Sequence, residues 1–375
     1  MWDCTIEGDH SYIGNGMLSH NTKPNVQAIP RDGLVKKLYS SRYPDGWMLT
    51  RDYSGLEVRV LALFCRDPLL VETFRTGGDV HFSTQLHFFG QAADKKNKTQ
   101  RSICKQALFG NIFGQGDKGL FELLTAARTV SPATGKPVTM EECKRFNQMI
   151  YERYPKVGEW VQFAHHAGIN EKWISSAFGF TRGLPEFESH RAYEEAQRTK
   201  SWEERRSDKF LSQLGAMISG AKRRSQNTPI QSTAADITTF AAWRTNELLI
   251  KKGLDTRVVS VVHDDLWLDV PHRDEMVEAS RILAYTMDNF KDWIGEMLDG
   301  YDASWIDCPI IGECEVGLNP KDALPTIEEP KWDGTGNLIL KGGTNQDGST
   351  IALDWIKDYD QIREICFLKK LALKT

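Results

Sequence analysis

The sequence predicts an α/β (α+β) fold, with an antiparallel sheet that carries acidic side chains and a separate run of helices. Three stretches carry that expectation. In the first, the apolar run Trp47-Met48-Leu49 leads into Asp52 and reads as a short buried strand ending in a carboxylate. Just past it, Leu56, Val58, Leu61, Ala62 and Leu63 recur with helical spacing, so a helix starts at that turn. In the second, Arg257 to Val270, an apolar strand, His263-Asp264-Asp265 and the strand Leu266 to Val270 read as a hairpin with acids at its tip. In the third, residues 97–121, Arg101, Lys105, Phe109 and Phe113 stand four residues apart on one winding stripe of a helix.

The chain has 375 residues, which suits two or three domains with ample material for a core. Hydrophobic residues make up 40% and charged residues 26%, the balance of a globular, soluble chain. No apolar run reaches membrane-spanning length, and no secretory signal is expected. The net charge of −4 means that any basic surface must be local. Seven cysteines lie far apart with no C-x-x-C pair, which argues against a zinc site or a disulfide framework and for reduced thiols.

In chain order, residues 1–21 read as two short strands around the turn Gly14-Asn-Gly16. Their pattern, D-x-T-x-E-G-x-H-x-[FY] and then N-G-x-x-x-H-N before Thr, resembles the C-terminal end of an intein. The chemistry suits the residues. The Asn21 side-chain amide can attack its own peptide carbonyl and break the chain, His20 can protonate or polarise that bond, and Thr22 offers a hydroxyl for acyl transfer. His10 is, by resemblance, the helper imidazole of the neighbouring strand. Because residue 1 is Met and not a nucleophile, the resemblance implies an N-terminal intein piece on another polypeptide.

Residues 22–33 are extended, since Pro24 and Pro30 disfavour helix in their predecessors. Asn25 and Gln27 project to one face, and their amides suit minor-groove edges and sugars. Asp52 follows. Taken alone, an Asp at such a turn is most often a helix N-cap. Paired with Asp264 it means more: two carboxylates brought together repel unless a cation lies between them. Hard oxygens with no Cys nearby favour Mg2+, and two such ions about 3.5–4 Å apart form the clamp of nucleotidyl transfer. In the stripe, Arg101 and Lys105 can hold a triphosphate, while Phe109 and Phe113 give flat surface for a base or sugar.

Residues 125–200 are helical and polar, with Phe178 to Pro185 a turn between short strands and Glu188 to Arg206 a solvated charged helix. From Lys222 onward, Arg223, Asn227 and Gln231 share a helix face suited to phosphates and the minor groove. Residues 274–298 read as one amphipathic helix, and Pro309 to Gly317 as a strand that can pair beside the acid hairpin. Residues 326–375 read as a Gly-rich linker, Gly334 to Gly348, and a terminal helix from about Asp354 to Leu371.

Three blocks now stand in order: D-Y-S-x-x-E-x-R at Asp52 to Arg59, R-x3-K-x3-F-G-x-x-F-G at Arg101 to Gly114, and V-H-D-D at Val262 to Asp265. Together they resemble the motifs of family-A, bacterial polymerase I-like DNA polymerases. P-N-x-Q-x-I-P at Pro24, E-R-Y-P at Glu152, N-T-P-I-Q-x-T-A-A-D at Asn227 and I-G-E-x-E-V-G at Ile311 support the likeness, which covers Thr22 to about Pro325. The resemblance implies that Asp52 and Asp264 are the carboxylates for two Mg2+ ions, with Asp265 and His263 beside them. It implies that Glu57, beside Phe109, excludes ribonucleotides, that Arg101 and Lys105 grip the dNTP, and that Phe113 borders the templating pocket. Asn25, Gln27, Arg223, Asn227 and Gln231 would contact primer-template DNA.

Asp265 stands where the family usually has Glu, Phe113 where it has Tyr, and Gly55 where it has Gln. The thumb, the first palm strands and an arginine-bearing strand are expected on an upstream half. The implied organisation is an intein segment (1–21), palm (22–59), helical fingers (60–222), palm again (223–325) and an extension without visible chemistry (326–375). The expected protein is a cytoplasmic, phage-like, template-directed DNA polymerase assembled by trans-splicing. A single-subunit RNA polymerase shares the palm, but Glu57 argues against it, and the retained acids and cations argue against a non-catalytic DNA-binding remnant.

Overall fold

The computed structural model describes residues 11–14, 17–20 and 34–371. The chain opens with strands β1 (Ser11–Gly14) and β2 (Met17–His20), then β3 (Trp47–Tyr53). Helices α1 (Leu56–Cys65), α2 (Pro68–Arg75), α3 (Val80–Phe89), α4 (Lys98–Ile112), α5 (Gly116–Ala126), α6 (Met140–Arg153) and α7 (Pro155–Glu171) follow. A small hairpin of β4 (Trp173–Ser175) and β5 (Thr181–Gly183) precedes α8 (His190–Thr199), α9 (Trp202–Ser207) and α10 (Lys209–Lys251). Next come β6 (Arg257–Val262), β7 (Asp265–Val270), α11 (Arg273–Asp288) and α12 (Phe290–Met297). The chain closes with β8 (Gly312–Gly317), β9 (Leu324–Glu328), β10 (Ile339–Thr344), β11 (Thr350–Asp354) and α13 (Tyr359–Leu371).

Two compact units result. One comprises residues 1–54, 238–298 and 310–375, the other 55–237 and 299–309. The first holds a seven-stranded sheet in the order β11-β10-β9-β8-β3-β7-β6, with every pair antiparallel. β3 lies inside it, and its residues through Arg51 are buried. Burial on both faces explains why Trp47-Met48-Leu49 reads as an unbroken apolar run rather than an alternating one. The N-terminal strands pair as expected, Ser11 opposite His20 and Gly14 opposite Met17.

Several expectations for this unit change. Of the Pro309 to Gly317 segment, Gly312–Gly317 forms β8, which pairs with β3 on the side away from the hairpin rather than beside the hairpin itself. The 274–298 helix is two helices broken at Asn289. The Gly-rich 334–348 segment is no linker: β10 and β11 form a hairpin that extends the sheet through β9. Gly342 stands at the bulge between Lys341 and Gly343, where a Cβ would come within 2.4 Å of the Leu353 side chain. The extension also carries Trp355, 1% exposed, whose ring meets Trp47 edge-on at 4.9 Å and whose indole donates to the Arg273 carbonyl at 3.0 Å.

The second unit is helical apart from β4 and β5. Asp67, Asp79, Asn97, Thr139 and Ser201 cap its helices through their side chains, the last two as capping boxes. The expected 97–121 helix is two, α4 and α5, because Gly114 and Gly116 take left-handed φ values of 66° and 67°. The charged 188–206 stretch is likewise two helices, broken at Lys200. Six cysteines, Cys65, Cys104, Cys143, Cys308, Cys314 and Cys366, are free and buried. Burial pushes their thiols up to about 11 or 12. Among the described residues no helix is long and apolar enough to cross a membrane.

Candidate active site

The acids gather at one end of β3. Asp52 is opposite Asp265 in the β3–β7 ladder and opposite Glu313 in the β3–β8 ladder. One step further, the Tyr53 amide donates to the Asp264 carbonyl at 3.1 Å. The backbone thus sets Asp52 beside Asp264. Asp52 is exposed although its strand is otherwise buried. The helix that follows is capped at Gly55, in left-handed conformation, so Asp52 is not its N-cap.

The hairpin tip is a two-residue loop, His263-Asp264, between β6 and β7. His263 takes φ 60°, a conformation that costs a non-glycine residue about 1–3 kcal/mol and tends to persist at functional sites. His263 is exposed and Asp264 half-buried. Asp265 is different. Its carboxylate accepts from the Trp267 indole at 2.7 Å and lies 3.8 Å from Lys36 Nζ. Burial still pushes its pKa up to about 6, and its Oδ1 is buried without a hydrogen-bond partner.

A divalent cation fits this donor set. Asp52 and Asp264 are hard oxygen donors on segments joined by a backbone bond, and the six described cysteines, the soft donors, are buried. Among the described residues no three acids, imidazoles or thiols gather as a ready-made cage.

β3 also carries Arg51, which the sequence reading passed over. It is 2% exposed, with Asp288 Oδ2 2.6 Å from one terminal nitrogen and Glu329 paired to the other. Burial opposes its charge, but the two carboxylates hold the guanidinium above its usual pKa. A charged residue inside an apolar strand was the available signal.

The cation and aromatic residues belong to the helical unit. Arg101 donates to Asp79 Oδ2 at 2.6 Å. Asp79 also caps α3 by accepting from the amides of His81 and Phe82. Burial works to raise Asp79, but these bonds hold it below its usual value. Lys105 sits 5.7 Å from the Phe109 ring, and Phe109 stacks on Phe113 at 5.8 Å. His81, also passed over, lies with its ring 6.2 Å from Phe109. Its Nδ1 is buried without a partner, and burial, then Arg101, push its pKa down to about 4. Glu57 is half-buried in the first turn of α1.

The end of α4 is held by amides from α10. Gln226, 2% exposed, donates to the carbonyls of Asn111 and Ile112 at 3.1 and 2.8 Å, and Asn227 donates to that of Phe113 at 3.2 Å. These satisfy helix-end carbonyls that lack intrahelical partners. His165 pairs with Gln226 Oε1 at 2.8 Å. Gly114 allows the approach, since a Cβ there would lie 2.9 Å from the Arg223 side chain. Arg223 and Gln231 are exposed on α10. So the structure joins Asn227 to Phe113, residues that the sequence assigned separate roles. His10, Asn21, Thr22, Asn25 and Gln27 lie outside the described residues, and of His20 only its place at the end of β2 is described.

Comparison with known proteins bears on this arrangement. The family model described as DNA polymerase family A matches residues 12–297. A DNA polymerase of Bacillus phage SP01 is 30% identical over 336 residues, covering 86% of this chain and 32% of that protein. DNA polymerase I of Streptococcus pneumoniae (strain ATCC BAA-255 / R6) is 28% identical over 279 residues, covering 73% of this chain and 28% of that protein. The chain thus spans about a third of the length of these curated relatives. The fold is shared with the POL domain of Pol1 from M. smegmatis in complex with DNA primer-template and dNTP. That structure aligns with a TM-score of 0.62 at 24% identity, over 82% of this chain and 46% of that one.

Proposed function

The chain belongs to DNA polymerase family A, and from that premise we propose that it supplies the catalytic acids and the nucleotide-gripping helix of a template-directed DNA polymerase. The observation that supports the reading is the Tyr53–Asp264 backbone bond, which ties the main chain of the hairpin tip to the end of β3, next to Asp52. Asp52 and Asp264 would hold two Mg2+ ions, which when bound supply charge neutralisation at the phosphate oxygens. His263 and Asp265 flank them. On the helical unit, Arg101 and Lys105 bind the triphosphate of the incoming dNTP, and Arg101 exchanges its Asp79 partner for phosphate oxygens. Phe109 and Phe113 offer the base and sugar a flat apolar wall, Glu57 crowds the 2′ position, and His81 completes the pocket. Arg223, Asn227 and Gln231, with Asn25 and Gln27, contact the duplex.

The sheet unit serves as palm and the helical unit as fingers; the expected bounds, 22–59 and 223–325 for the palm and 60–222 for the fingers, differ from these units at 55–59, 223–237 and 299–309, which belong to the helical unit. Primer-template DNA and dNTPs, which the M. smegmatis complex contains, are the partners. The direct test is dNTP incorporation on a primed template by this chain joined to its upstream half. Addition of only the template-complementary nucleotide supports the reading. Equal use of rNTPs would favour an RNA polymerase instead.

Residues 1–21 act as the C-terminal piece of a split intein. The pairing of β1 with β2 around residues 15 and 16 supports this together with the His20-Asn21-Thr22 sequence. The Asn21 amide nitrogen attacks the Asn21 carbonyl, a succinimide forms, and the Thr22 amine leaves. Mixing the chain with an upstream half bearing the N-terminal intein piece should release a peptide ending at Asn21. Mass spectrometry would find the Asn21–Thr22 bond intact if this reading is wrong. Asn21→Ala should block that cleavage, and Thr22→Ala the acyl transfer.

A further inference from the structure

Arg51 and Asp52 are neighbours on β3, so their side chains project to opposite faces of the sheet. Behind Asp52, the Arg51 guanidinium is clasped by Asp288, the last residue of α11, and by Glu329, just past β9. Each carboxylate is tied in turn to the sheet at this rung. Asp288 Oδ1 accepts from the amide of Gly312, the register partner of Tyr53, at 2.9 Å. Glu329 Oε1 accepts from Thr326 Oγ1 at 2.7 Å, and the same hydroxyl lies 3.1 Å from the carbonyl of Cys314, the register partner of Arg51. One cation therefore meets two anions, a net charge of −1 on the face behind Asp52. Glu329 lies beyond the family match, which ends at residue 297.

We propose that Glu329 is a positioning residue for Asp52, acting through Arg51, and that the segment carrying it is a working part of the acid site. Its carboxylate fixes Arg51, Arg51 fixes the end of β3, and the surplus negative charge favours a cation on the opposite face. The inference rests on the reading of Asp52 as a metal-holding carboxylate. Glu329→Gln is a usable probe because Asp288 remains to neutralise Arg51, so no buried charge is stranded.

The test is Mn2+ binding to the full chain, followed by electron paramagnetic resonance of the free ion, with Asp52→Asn defining the Asp52-dependent part. Glu329→Gln should weaken that part about threefold, with an unchanged circular dichroism spectrum. Glu329→Asp, which keeps the charge one methylene short, should fall between it and the wild type. If Glu329→Gln does not fold, Glu329→Asp alone decides: weakened binding supports the proposal and wild-type affinity overturns it. If Mn2+ binding depends on Asp52 but not on residue 329, this inference fails alone. If it does not depend on Asp52, the metal reading fails and takes the inference with it.

Discussion

The Tyr53 amide donates to the Asp264 carbonyl, one rung past the Asp52–Asp265 pair that ends the β3–β7 ladder. The main chain of the hairpin tip is thus tied to the end of β3, and truncating either side chain leaves that bond in place. Asp52→Ala or Asp264→Ala in the joined enzyme should therefore abolish primer extension while keeping the fold and most DNA affinity, which phosphate contacts elsewhere supply. Filter binding alongside extension assays would check this. Near wild-type extension by either variant would refute the assignment of the acids.

Sugar choice offers a second measurement. If Glu57 crowds the 2′ position, Glu57→Ala should raise rNTP use relative to dNTP by on the order of 10²-fold, the scale on which a pocket rejects an added hydroxyl. Single-nucleotide kinetics give the ratio, and an unchanged ratio would remove Glu57 from the role.

His81 predicts an acid-labile helical unit. Its pKa falls from the usual 6.5 to about 4 on folding, chiefly through burial and then Arg101 and Lys105. The unfolded chain therefore takes up the proton first. The stability that His81 contributes is full above pH 6.5 and is lost as pH falls through about 4. The amount is roughly 2 kcal/mol after allowance for partial exposure. Urea unfolding at pH 7 and pH 4 should show this loss in the wild type and a smaller one in His81→Leu.

The C-terminal extension should prove integral to its unit. Trp355→Ala removes a fully buried indole that packs on Trp47 and should cost about 3–5 kcal/mol. A melting temperature within a degree or two of wild type would contradict that packing.

The candidate site residues stand out in the sequence where chemistry and periodicity coincide. Asp52, Asp264 and the Arg101-to-Phe113 stripe announce themselves because a strand ending in an acid, or cations and rings at i, i+4, are unusual for a core. Local spacing could not reveal partners far away in sequence. Gln226 looks like any helix amide until the carbonyls of Asn111 and Ile112 are seen against it. Glu329 is 278 residues from Arg51. The β10–β11 hairpin hid because its glycines, read as flexibility, are there for a bulge and a close approach to Leu353. The break after Phe113 hid because four stripe residues at helical spacing outweighed two glycines.

The six sealed thiols make the chain a thermometer of its own opening. A thiol out of reach of solvent and held in its protonated form reacts with an alkylating reagent only when the surrounding structure opens. Cys65, Cys104, Cys143 and Cys308 belong to the helical unit, and Cys314 and Cys366 to the sheet unit. Timed alkylation read by peptide mass would therefore give separate opening free energies for the two units, with no label introduced. Cys314, the register partner of Arg51, would report on the rung beside the acids.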